Sequence, residues 1–392
     1  MSYKKLKDRN PIEIATVLLP WVLGFIAYNY YRKGGMLAGH IKWVDTINNG
    51  TDFIDHPGLF WLSGLFHRFT SLSSRQSIFI ITSLHVGMLL PAIMWALKQL
   101  DFTHAGAPRT YLLGALAVMI AAPVAIPFLP LEIYNFSTAN RVPFLLRNAT
   151  LMCLLPYMYA AFGLLMVIIR GQINQEALNR ETSLMAGFFV FMSALIKPSF
   201  AISILPTIGL YVLFQKKISW GAKLKIGCIF IPTALLLLCS LYIGIIFNPW
   251  RTAMPFIFAP LKTWRKNNMY PYLNLFLSIA FPACILLYRV TKIDFFTKIA
   301  WLNLLIATLP YAFFTMGERD LEWPYLNACQ LLMLCSVVEW WKWIQEKYPK
   351  RIQSSGITGP PNEARKILRL HIICGCIRAV CVDNILFKII LG

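Results

Sequence analysis

The chain has 392 residues, 57% of them hydrophobic and 14% charged, with a mean hydropathy of +0.59 and a formal net charge of +20. So apolar a composition excludes an ordinary soluble domain. Several windows of the roughly 17 to 25 apolar residues that a bilayer demands predict instead an all-α, polytopic membrane protein. The positive charge sits beside hydrophobic spans and not on a basic helix, so membrane lipids and inward-facing loops are the expected partners and nucleic acid is not.

In chain order, the first predicted span is 12–31. It is entered from Lys4, Lys5, Lys7 and Arg9, which sets the N-terminus on the cytoplasmic side. Its apolar stretch lacks a small-residue cleavage site, so it is expected to stay as an anchor. Residues 32–76 are then external. Within them Leu59, Phe60, Leu62, Leu65, Phe66 and Phe69 recur at near-helical spacing, which predicts a helix lying in the membrane interface.

Spans are predicted at 77–97 and 109–129, followed by an external loop at 130–149 and a fourth span at 150–169. Residues 183–214 are too long for one straight span. Lys197-Pro198 stands at their middle, so two short helices should form a hairpin with the lysine at its outer tip. A seventh span is expected at 226–247, an external loop at 248–273, and further spans at 274–288, 299–316 and 326–341. The external turn Gly317–Tyr325 lies before the last. That makes about ten transmembrane helices in a membrane domain of residues 1–345, with a basic cytoplasmic tail at 346–392 that carries a second interfacial helix. The nine cysteines lie mostly inside apolar segments, where cysteine acts as a small hydrophobe.

Acids are scarce, 17 against 37 Lys and Arg, so their clustering is informative. Asp45, Asp52 and Asp55 fall together, and Asp55 leads into His56-Pro57-Gly58-Leu59-Phe60-Trp61-Leu62. The external face also gathers Arg141, Arg147, Lys197, Arg251, Arg265, Lys266, Glu318 and Arg319. A carboxylate beside fixed cations suits a reaction in which a base takes a hydroxyl proton while an anionic phosphate leaves. Arginine binds phosphate bidentately and lysine supplies a point charge. Each residue also has a plainer role to set against that one. Asp55 can cap the helix that follows, His56 can bond its own loop, Lys197 can snorkel to the interface, and Glu318 with Arg319 can close a turn.

The run from Asp55 to Leu62, the Lys-Pro hairpin Leu195-Ile196-Lys197-Pro198-Ser199-Phe200 and the late Gly317-Glu318-Arg319 turn resemble motifs of the GT-C superfamily, in its mannosyltransferase-like branch. These are multi-spanning glycosyltransferases that use polyprenyl-phosphate sugars. The resemblance implies an inverting transfer to a lipid-linked or cell-surface glycan. Asp55 would be the base, with Asp52, Asp45 and His56 as further catalytic candidates. Lys197, Arg319, Glu318, Arg147, Arg141, Arg265 and Lys266 would hold phosphate and sugar. A divalent metal bound by an acidic pair is a further option, because the family often shows adjacent acids. A bacterial cytoplasmic membrane with the site facing outward is the expected location, the endoplasmic reticulum the alternative. A polysaccharide polymerase or ligase, or a flippase of lipid-linked saccharide, are the rival readings.

Overall fold

The computed structural model describes residues 11–32, 38–49, 57–100, 108–120, 149–247, 257–258, 279–287, 292–315 and 322–347. They are almost entirely helical. The first helices are α1 (Pro11–Arg32), α2 (Ala38–Asn49), α3 (Gly58–Phe69), α4 (Ser74–Gln99) and α5 (Pro108–Ile120). After them come α6 (Ala149–Ile173), α7 (Arg180–Ile196), α8 (Ser199–Phe214), α9 (Trp220–Ile229) and α10 (Ile231–Phe247). Helical residues 279–287 form α11, and α12 (Phe295–Phe313) and α13 (Glu322–Lys347) complete the set. Two-residue strands β1 (Ile257–Phe258) and β2 (Phe314–Thr315) pair antiparallel.

Among the described residues, α4, α6 and α12 are long and apolar enough to cross a membrane, and α9 with α10 passes as a fourth span despite a 47° bend. Shorter apolar helices, Ile14–Asn29, Thr110–Met119 and Ser199–Phe214, coincide with other expected spans. Large apolar side chains such as Trp21, Phe25, Leu184, Phe188, Phe214 and Leu238 face outward, as lipid-facing residues do in an integral membrane protein. The expected loop 130–149, the tail 348–392 and most of 248–278 lie outside the described residues.

Helix α6 is apolar all round and buried along nearly its whole length, which makes it the axis of the bundle. Gly163 lets α4 approach it: a Cβ there would stand 3.2 Å from the Trp95 ring. The crossing of α1 and α4 uses the same device. A Cβ on Gly87 would meet the Pro20 carbonyl oxygen at 2.8 Å, and one on Gly24 would meet the Ser83 carbonyl oxygen at 3.0 Å. Without a hydrophobic force between lipid-solvated helices, such small residues gain contact by letting backbones close in.

Three expectations are corrected. The external region 32–76 contains a second helix, α2, besides the predicted α3. The single span expected at 226–247 is two helices broken at Phe230, because Pro232 lacks an amide hydrogen and crowds the preceding turn. Trp323, Pro324 and Tyr325 belong to the first turn of α13 and not to an external turn, since proline is well suited to a helix start.

The ends of the bundle differ in charge. At one end Arg170 lies 5.7 Å over Phe295 and Lys342 bonds Asp294 at 2.7 Å. There Glu339, fully buried, accepts hydrogen bonds from the Asp294 amide (2.8 Å) and the Thr297 hydroxyl (2.9 Å). Asp294 holds the N-cap position of α12 without a side-chain cap, so a carboxylate from α13 supplies the cap across the tertiary contact. Glu339→Leu should therefore destabilise the protein by about 3 kcal/mol, because it leaves two buried donors unpaired. Glu339→Gln keeps an acceptor and should lose less. Thermal unfolding in detergent checks the order, and equal midpoints for both variants would refute the tertiary cap.

Candidate functional site

The opposite end is organised by the break between α7 and α8. Residues before α7 (Gln172, Glu176, Leu178) and after α8 (Lys217, Ser219, Lys225) line one cavity of about 430 Å³. Both far ends of the pair thus meet on the basic side, and the two helices form the hairpin that the sequence predicts. Lys197 is its tip.

Local chemistry explains the break. Lys197 is extended (φ −159°, ψ 119°), as a residue before proline prefers. Its amide still closes α7 by donating to the Ser193 carbonyl at 2.9 Å, and the Pro198 carbonyl opens α8 by accepting from the Ile202 amide at 2.9 Å. The lysine does not snorkel. It is only 8% exposed, and its ammonium lies 4.0 Å above the centre of the Trp323 ring. A desolvated cation gains from an aromatic face.

Three helix starts converge on this lysine. Ser199 opens α8 directly after it. Helix α13 brings Trp323 beneath the ammonium and ties itself to α8 through Asn327, whose Nδ2 donates to the Ser199 hydroxyl at 2.8 Å. The start of α3 presses on the last residues of α7: a Cβ on Gly58 would lie 2.8 Å from the carbonyl carbon and oxygen of Leu195 and 2.9 Å from the Ile196 nitrogen. The N-cap positions of α3 and α8 are Pro57 and Pro198, and neither carries a side-chain cap. Helix starts of this kind carry partial positive charge and open N–H groups that suit an anion. The end of α7 at the same place opposes them by a comparable amount, so the full charge of Lys197 decides the sign.

Below the tip, Ser199, Ser203 and Thr207 recur at every fourth position of α8, all buried. Thr207 donates to Asn303 of α12 at 3.1 Å, and Tyr159 of α6 donates to Gln330 of α13 at 2.8 Å. Tyr311 and Tyr325 stack at 5.7 Å between ring centres and hold the end of α12 against the start of α13.

Of the residues singled out in the sequence, Asp45 and Lys197 are described. Asp45 is exposed on α2, a helix fastened to α3 by the His40 and Phe60 rings at 5.8 Å. Asp52, Asp55, His56, Arg141, Arg147, Arg251, Arg265, Lys266, Glu318 and Arg319 lie outside the described residues. The N-cap of α3 falls on Pro57, two residues after Asp55, so the predicted capping position is not that of the aspartate. Among the described residues no three His, Cys, Asp or Glu side chains stand close enough to hold a metal ion. The sequence reading missed Ser199, Trp323 and Asn327. Trp323 and Asn327 are four apart, one turn of a helix, but that spacing becomes visible only once α13 is known to begin at Glu322.

Gly58 offers a direct test of the contact. Gly58→Ala should cost about 1 to 3 kcal/mol, because the opposing atoms are backbone and cannot rotate away. Gly209→Ala, with nothing within 4 Å, should be neutral or slightly stabilising. Thermal unfolding of the two variants compares them, and equal midpoints would rule out the close approach.

No family model matches the chain, and no curated protein matches it in sequence. Among solved structures it is similar to ArnT from Cupriavidus metallidurans, crystallised with undecaprenyl phosphate bound. The similarity covers 96% of this chain and 72% of that one, with 12% identity and a TM-score of 0.50. At that identity the likeness is one of fold.

Proposed function

We propose that this chain is a membrane glycosyltransferase of the GT-C type, which moves a sugar from a polyprenyl-phosphate donor to a lipid-linked or cell-surface glycan. The observation that carries the reading is the buried Lys197 at the hairpin tip, among the starts of α3, α8 and α13. A lone cation so placed is costly in a membrane protein unless it meets an anion, and a lipid phosphate arrives at that depth. The ArnT fold, with undecaprenyl phosphate bound in that protein, agrees with such a ligand.

Lys197 holds the donor phosphate and stabilises the charge that grows on it as it leaves. Asp55 stands three residues before Gly58, and a connection of that length reaches at most about 11 Å. The carboxylate can therefore serve a reaction at the same place. It takes the proton of the acceptor hydroxyl, the acceptor oxygen bonds to the anomeric carbon, and the bond from that carbon to the phosphate oxygen breaks with inversion. Asp52 and Asp45 are the alternative bases. Arg141, Arg147, Arg265, Lys266, Glu318 and Arg319 are candidates for the remaining contacts to phosphate and sugar. A divalent metal would need a carboxylate cluster drawn from the first external region. The excess of Lys and Arg at the opposite end, including Lys216, Lys217, Lys223 and Lys225, supports a cytoplasmic side there and an outward-facing site, in a bacterial cytoplasmic membrane.

A flippase of lipid-linked saccharide is the second reading, favoured by the buried polar stripe Ser199, Ser203 and Thr207. Purified protein incubated with radiolabelled synthetic polyprenyl-phosphate sugars and a glycan acceptor separates the two. Transfer of label to the acceptor is the expected result. If no donor is consumed while reconstituted vesicles move a lipid-linked saccharide across the bilayer, the transferase reading is wrong.

A further inference from the structure

We infer that Trp323 and Asn327 form a hydroxyl-recognition pair for the donor's sugar, one helical turn apart on the face of α13 that meets Lys197. The inference rests on the transferase reading and adds to it the residues that select a neutral, hydroxylated sugar over the bare lipid phosphate.

Both side chains are buried, Trp323 5% and Asn327 1% exposed, and each carries one polar atom without a hydrogen bond. These are the indole Nε1 and the amide Oδ1. An unpaired buried polar atom costs about 1 to 3 kcal/mol, so two at one place call for an explanation. The other arm of Asn327 is already used, since its Nδ2 donates to Ser199 at 2.8 Å. That bond fixes the amide and leaves Oδ1 as an acceptor. Trp323 is fixed in turn by the ammonium over its ring face; its N–H projects from the ring edge, in the ring plane and away from the cation.

What remains open is one donor and one acceptor, and the combination is selective. A phosphate oxygen would be repelled by Oδ1, because both are acceptors. A hydroxyl both gives and takes a hydrogen bond, so it satisfies the two atoms together. Lys197 therefore holds the phosphate above the ring face, and the pair at the ring edge takes a hydroxyl of the sugar attached to it. A site that must fill a buried donor and acceptor discriminates against ligands lacking the matching group.

The test uses the full chain in detergent and two probes, farnesyl phosphate and farnesyl phosphate bearing a hexose, with glucosyl, mannosyl and galactosyl forms compared. The informative variant is Trp323→Phe, which keeps an aromatic face beneath Lys197 and removes only the N–H. It should bind farnesyl phosphate within about twofold of wild type, and lose about five- to tenfold in affinity for the best hexosyl form. Its unfolding midpoint without ligand should not fall, because an unpaired donor has been removed. Asn327→Asp keeps an acceptor and should retain more hexosyl affinity than Asn327→Leu; if the leucine variant does not fold, the Trp323→Phe comparison stands by itself.

Equal losses for both probes, or no loss for either, would overturn the pair's role in sugar recognition. So would a wild type that gains nothing from the hexose while still binding farnesyl phosphate through Lys197, and that result would leave the phosphate site standing. A wild type that binds neither probe would overturn the transferase reading itself.

Discussion

Lys197→Met is expected to lower polyprenyl-phosphate affinity and sugar transfer at least a hundredfold while leaving the protein as stable as before, or more so. The two effects have opposite signs for one reason. Burying an ammonium in a membrane protein is costly, and methionine fills the same space and packs on the Trp323 ring without that cost. Removing the only described cation at the tip, however, takes away a charge-assisted contact that is strengthened by its dry surroundings. A residue kept at a cost to stability is the mark of a site. Lys197→Arg should restore part of the binding, limited by the fit of a planar fork in place of a point charge. Lys217→Met at the opposite end should change neither quantity. Titration with farnesyl phosphate, read beside the unfolding midpoint, measures both. If Lys197→Met lowered stability and left affinity untouched, the lysine would be a structural clamp on Trp323 and the phosphate assignment would fail.

Asp55→Asn should reduce turnover by about a thousandfold, within the range for loss of a general base, and leave donor affinity unchanged within about twofold. Asparagine is nearly the same size but cannot take the acceptor's proton. The split between turnover and affinity separates it from the lysine variant, in which both fall together. Asp45→Asn is the natural comparison. Asp45 is exposed on α2, where a carboxylate gains little from its surroundings, so its loss should cost less than tenfold. Single-turnover transfer with saturating donor reads the chemical step. A larger loss for Asp45→Asn than for Asp55→Asn would move the base to α2.

The sequence by itself determined the features that depend on local chemistry. Apolar windows marked the helices, because in a bilayer each helix satisfies its own backbone whatever its neighbours are. The break at Lys197-Pro198 was legible for the same reason, since a proline ring and the residue before it are constrained within two positions of chain. The near-helical spacing of Leu59, Phe60, Leu62 and Phe66 likewise gave the helix that the structure places at Gly58–Phe69. The limits of local reading appear where a signal has two meanings. Trp323-Pro324 read as a turn yet starts α13, and the apolar run 226–247 hid a bend at Phe230.

Only the tertiary structure decided what surrounds the lysine. A lysine after an apolar helix can reach for water or turn inward, and the choice was made by Trp323, which lies more than a hundred residues away in the chain. The hydrogen bond from Asn327 to Ser199 spans 128 positions. The requirement for glycine at 58 comes from the backbone of Leu195 and Ile196 and from nothing nearby in sequence. These contacts join segments whose side chains show no shared pattern when read one at a time. They exist because helices without a hydrophobic drive between them settle where close backbone approach and buried hydrogen bonds are available, and that is a property of pairs of surfaces, not of any single stretch of chain.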